Sequence, residues 1–127
     1  MAKVRAILGV IAGVLLILSS AAHALLGWKA ISAQLASVQV PADLLTGLRI
    51  GWQFGAAVML ALGIIVVILF SKRLRGEMAS TMPAVVISIA YLSFGIWAMI
   101  VSNFDPFFLV FLIPGSLLAV ASRKVRV

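Results

Sequence analysis

His23, Arg49, Gln53, Trp97, Asn103 and Asp105 are the side chains best equipped for chemistry in this chain of 127 residues. An arginine holds a negative head group through charge-assisted hydrogen bonds, a histidine and an amide add neutral ones, and a tryptophan covers the apolar part of the same molecule. That set would bind an amphipathic lipid, a quinone or an anionic small molecule. A histidine with an arginine and an aspartate as electrostatic partners could instead serve as the base of a small membrane enzyme.

Each residue also has a plainer use. A single histidine suits a hydrogen bond to a neighbouring helix and is weak evidence for haem or metal. Asp105, directly before Pro106, suits a helix cap. Trp28, Tyr91 and Trp97 suit an aromatic belt, and Gln53 and Asn103 can join helices. Arg49 can snorkel to head groups and avoid most of the roughly 2.5–3.5 kcal/mol that a cation costs at mid-membrane depth. Ser19, Ser20, Ser88 and Ser93 read as small packing residues.

The elements that must position these residues follow from composition. Hydrophobic residues make up 65% of the chain, charged ones 10%, and the mean hydropathy is +1.28. A soluble domain has no interior large enough for that share, whereas a bilayer accepts it on every helix face. About 20 apolar residues at about 1.5 Å each match the roughly 30 Å hydrocarbon layer. Four such spans are predicted, at about 5–27, 42–70, 80–101 and 105–121, the last being the shortest. No stretch alternates with the period of two of a barrel strand, so the spans should be helices that satisfy their own backbone groups. The expected fold is all-α, one four-helix transmembrane domain.

Between the first two spans, apolar residues at 28, 31, 35 and 38 are interspersed with polar ones. An amphipathic helix is therefore expected within about 28–40. It would lie on the membrane surface or prolong the first span. Pro41 and Pro83 suit helix starts, and Pro114 invites a kink in the last helix. The first segment has the basic start, apolar run and small-x-small ending of a cleavable signal peptide, but its run outlasts the short apolar stretch of such peptides. It is expected to be a retained span.

Basic residues predict the orientation. Lys3, Arg5, Lys72, Arg73, Arg75, Arg123, Lys124 and Arg126 flank the spans on one side, leaving Lys29 and Arg49 for the other. By the positive-inside rule both termini are cytoplasmic, in a multi-pass plasma (inner) membrane protein. The six residues of the opening paragraph then fall at about one depth, in the outer leaflet, where all four helices could line one polar pocket. The net charge of +7 reads as topology plus attraction to anionic lipids, with no soluble domain to bind nucleic acid.

Glycines supply the packing motif. Gly47, Gly51 and Gly55 recur every four residues and form one smooth stripe, roughly opposite Arg49 and Gln53. Gly9 and Gly13 make a second pair. Such stripes let helices meet backbone to backbone, within the bundle or between subunits. The chain has no cysteine and no HExxH, GxSxG or phosphate-loop signature, and no cofactor is expected. In length alone it is similar to the small multidrug transporters. That family relies on an acidic residue deep in its first helix, where this chain has no carboxylate, and its dual-topology members have balanced loop charges. Proton-coupled cation export is therefore not expected. The preferred expectation is a non-catalytic integral membrane protein, an accessory or self-associating subunit, with membrane lipids and either a second copy or a larger membrane protein as partners.

Overall fold

The computed structural model describes residues 2–123, so Lys124 and Arg126 of the basic C-terminal cluster lie outside the described residues. Among those described, every regular element is helical. Helix α1 covers Ala2–Ala22 and passes through a π-helical turn, His23–Gly27, directly into α2, Trp28–Leu35. Helix α3 runs 33 residues, Ala42–Leu74, and α4 covers Met82–Val101. A short 3₁₀ turn, Pro106–Phe108, leads into α5, Leu109–Ala121. The amphipathic segment thus prolongs the first span, and the second helix continues past the predicted end at 70 to Leu74.

Three helices are long and apolar enough to cross a membrane: Ala2–Leu35, Ala42–Leu74 and Met82–Val101. The fourth apolar helix, Pro106–Ala121, is shorter than these. Large apolar side chains stand exposed along α1, α3, α4 and α5, among them Ile11, Leu18, Ile68, Ile89 and Ile113. Water would make that surface untenable, whereas lipid tails match it. The chain is a membrane protein built as a bundle of four helices.

The helices lie side by side in the order α3, α1, α5, α4, with α3 and α4 touching only sparsely. Small residues decide how closely they approach. At the α1–α3 crossing, a Cβ on Gly13 would stand 2.9 Å from the main-chain nitrogen of Val67, and one on Gly63 would stand 3.0 Å from the Gly13 carbonyl oxygen. Only glycine lets the two backbones come this near. Gly9 receives the Phe70 ring, whose side chain is fully buried. The second pair uses the same device: Gly95 faces Leu112, and Gly115 faces Leu92 and Tyr91. Helix α5 continues through Pro114, which is itself buried against its neighbours.

Two buried serines add one hydrogen bond to each pair. Ser20 Oγ donates to the Ala56 carbonyl at 2.8 Å, joining α1 to α3, and Ser88 Oγ donates to the Gly115 carbonyl at 2.8 Å, joining α4 to α5. In an apolar surround a hydroxyl without a partner is costly, so each bond also specifies which faces meet.

Six of the eight described cations gather at one end. Arg5 Nη1 donates to the Arg123 carbonyl at 3.2 Å, and Thr81 Oγ1 donates to the Ser122 carbonyl at 3.4 Å. Ala2, Arg73 and the turn after α3 line one cleft there. Lys3, Arg5, Lys72, Arg73, Arg75 and Arg123 therefore share this end. The 36–41 linker, Lys29, Arg49 and the 102–105 turn belong to the opposite, cation-poor end.

Candidate functional site

The most specific polar structure stands where α1 gives way to α2. A π turn breaks the regular ladder. The Trp28 N–H, which an α-helix would offer to Ala24, goes to the Leu25 carbonyl instead. The carbonyls left poorly served take donors from α3. Trp52 Nε1 donates to the His23 carbonyl at 2.7 Å, and Gln53 Nε2 donates to the Ala24 carbonyl at 3.1 Å. Two neighbouring side chains of one helix thus repair two neighbouring carbonyls of the other. In a bilayer core such repair is obligatory, because no water is present to do it.

The rings reinforce the hydrogen bonds. The His23 imidazole and the Trp52 indole lie nearly parallel, 7° apart, with centroids 4.1 Å from each other. Trp52 can lie so close because Gly27 presents no side chain; a Cβ there would come within 2.7 Å of Trp52 Cζ2. His23 also faces Gly55, where a Cβ would stand 3.5 Å from its Nε2. His23 is therefore held by both Trp52 and the Gly55 surface of α3.

Beyond this point the helices separate. Trp52, Ala56, Gly63, Val66 and Phe70 follow the three-and-four spacing that turns one face of α3 toward α1. Leu45 and Arg49 continue the same face toward α2. The two helices no longer touch closely there, and a groove of about 460 Å³ opens between them. Trp28, Ser32 and Leu35 line it from α2, Leu45, Thr46 and Arg49 from α3, while Ala36, Val38 and Val40 of the linker close its end. Arg49 has no carboxylate partner among the described residues, where Arg75 and Glu77 form the one ion pair.

The remaining candidate residues sit in the other helix pair. Trp97 is 57% exposed and packs its ring on Phe94 with centroids 5.4 Å apart. Asp105 accepts the Phe107 N–H at 2.9 Å and so caps the 3₁₀ turn. Asn103 occupies the left-handed region at φ 55° within the turn that leaves α4. Among the described residues, no hydrogen bond or ring contact joins Trp97, Asn103 or Asp105 to His23, Arg49 or Gln53. Arg49 lines the groove without any of the other five. The polar residues share an end of the bundle without forming one constellation.

The glycines divide in an unexpected way. Every other helical glycine has an atom of a neighbouring helix against it, whereas Gly47 and Gly51 have nothing within 4 Å. Trp52, Gly27 and Gly63 were not singled out among the expected residues. The signal in the sequence was the four-residue step from His23 to Gly27, which aligns a ring with a vacancy on one helix face.

No group of three or more His, Cys, Asp or Glu side chains capable of holding a metal occurs among the described residues. No protein-family model matches the chain, and no curated protein or solved structure is similar to it at a significant level.

Proposed function

We propose that this protein is a non-catalytic membrane subunit that associates, with a second copy or with a larger membrane protein, through the cation-poor half of α3. One observation carries the reading. Gly47 and Gly51 keep a smooth helix surface that nothing among the described residues covers, while the other helical glycines are filled by intrachain neighbours. A glycine within a helix costs about 0.5–1 kcal/mol relative to alanine, a loss that no contact among the described residues offsets at Gly47 or Gly51. In lipid, close approach of another helix offsets it. Exposed Leu44, Leu48 and Phe54 flank the stripe and would supply the apolar rim of such a contact.

The second element of the reading is the use of His23. Its ring is engaged by Trp52 and by the Gly55 surface, and Gln53 is engaged with Ala24. These residues support a rigid joint better than a reaction centre. The positive-inside pattern supports placing the cation-rich end in the cytoplasm of a cell whose plasma membrane holds the protein.

Crosslinking in native membranes, followed by mild-detergent purification, tests association. The wild type is expected in complexes larger than one chain, and Gly51→Leu is expected to release the monomer with its helix content intact. A wild type that is monomeric in membranes and crosslinks to nothing removes this reading.

A further inference from the structure

Measured by helix rise, the two long helices outrun the bilayer, and the groove between α2 and α3 opens past its edge. We propose that this groove is a docking site for a segment of another protein, standing in the head-group layer and water at the cation-poor end, that brings a few apolar side chains and one carboxylate for Arg49. This docking is independent of the association through Gly47 and Gly51, which lie roughly opposite Arg49 on α3.

The levels follow from contacts at the cation-rich end. Arg5 of α1 meets Arg123 just past α5, and Ser122 meets Thr81 at the start of α4, so these positions share one level. Gly9 takes the Phe70 ring and Gly13 lies against Val67, which puts Arg5 level with about Leu74, one turn along each helix. From there α4 crosses with 20 residues, a rise of about 30 Å that matches the hydrocarbon layer. The same rise ends near Leu25 on α1 and near Phe54 on α3. Trp28 and Trp52 stand within one turn of those points, at the depth where indoles mark a membrane boundary. Beyond Trp52, α3 continues from Gly51 to Ala42, about 15 Å further, of which the head-group layer takes up only about 5–8 Å.

Lipid tails do not reach this level, so apolar surface here is covered by protein or left to water. Leu35, Val38, Val40 and Leu45 line the groove, and Val38 and Leu45 are 60% and 37% exposed. Arg49, the lining residue of α3 nearest Trp52, has no carboxylate in the lining and no ion pair among the described residues. With Trp28 on the facing wall, the hollow combines tryptophan, arginine and aliphatic side chains, the make-up of an interface anchor. A carboxylate completes it, because a guanidinium beside apolar surface binds such an anion through paired, charge-assisted hydrogen bonds. The chain's own carboxylates at this end do not fill that role. Asp105 accepts the Phe107 N–H. Asp43 stands about 9 Å farther out than Arg49, at the positive end of α3, and a second copy in the same orientation keeps that offset.

The test is photocrosslinking in native membranes, with p-benzoylphenylalanine placed at position 38 of the full chain in one experiment and at position 45 in another, followed by sequencing of the attached peptide. Both positions are expected to capture the same segment of one other protein, with an aspartate or glutamate close to the point of attachment. Arg49→Gln should lower the yield roughly tenfold, the scale of one charge-assisted contact. Arg49→Lys should keep part of it, and Lys29→Gln, a cation at the same end but outside the groove lining, should leave it intact. Thr46→Glu sets a carboxylate one turn from Arg49 and should lower the yield as far, which keeps the test decisive if Arg49→Gln fails to fold. No attachment, attachment only to lipid or to a second copy, or unrelated peptides at the two positions overturns the proposal. So does an unchanged yield in Arg49→Gln or Thr46→Glu, or an equal loss in Lys29→Gln, which would mean diffuse charge attraction. Gly51→Leu should not alter this crosslink, so failure of the glycine-mediated association and failure of this docking are read separately.

Discussion

Trp52 lies flat on the His23 imidazole and at the same time donates its indole N–H to the His23 main-chain oxygen, so one side chain holds both the ring and the backbone of one residue. The pairing fixes the register of α1 against α3 at the π turn, and the groove beyond it depends on that register.

Trp52→Phe retains a ring over His23 and removes the donor. It should destabilise the α1–α3 pair by about 0.6–1.5 kcal/mol, the value of one interhelical hydrogen bond, while Trp52→Ala should cost more because Gly27 then faces a void. Reversible unfolding in mixed micelles measures both. Equal stability of Trp52→Phe and the wild type would mean that the indole N–H holds nothing in place.

Glycines in contact and glycines in the open should respond oppositely to the same change. Gly13→Ala and Gly63→Ala place a methyl against main-chain atoms of the partner helix, and each should lose about 1–3 kcal/mol. Gly47→Ala meets nothing. It should leave the isolated chain as stable as before, or gain up to about 1 kcal/mol from helix propensity. Comparable losses at all three positions in the same unfolding assay would contradict the packing described.

Ser20→Ala and Ser88→Ala each remove one buried interhelical donor. A loss of about 0.6 kcal/mol per site is expected, and the two should add, because they lie in different helix pairs. A double variant that loses much more than the sum would show that the pairs are coupled through α1 and α5.

Phe104 adopts φ 62° and is 69% exposed. Bulky residues rarely tolerate that left-handed conformation. Phe104→Gly should therefore raise stability by about 1 kcal/mol by removing the strain. A lower stability instead would assign the ring a binding role at the membrane surface, readable as weaker vesicle partitioning of a peptide carrying the 102–108 turn.

The orientation can be read without background, because the chain contains no cysteine. Gln39→Cys should react with an impermeant maleimide added outside intact cells, and Glu77→Cys only after the membrane is opened. The reverse pattern would invert the assignment of ends.

The membrane class, the positions of the helices and the clustering of cations were legible in the residues themselves, because length, hydropathy and charge are properties of a segment taken alone. Met82–Val101 and the start of α3 after Pro41 need no neighbour to define them. Which face of each helix meets which partner was not legible. A soluble helix declares its buried face by polarity, whereas these helices are apolar all round, so their rotation is decided by where small residues and hydrogen bonds happen to meet. Hence Gly63 and Gly95, unremarked in the sequence, lie at close approaches alongside the expected Gly9 and Gly13, while Gly47 and Gly51, the most conspicuous spacing, lie open. The π turn was likewise out of reach, since the donors that its His23 and Ala24 carbonyls receive come from Trp52 and Gln53 on a distant segment.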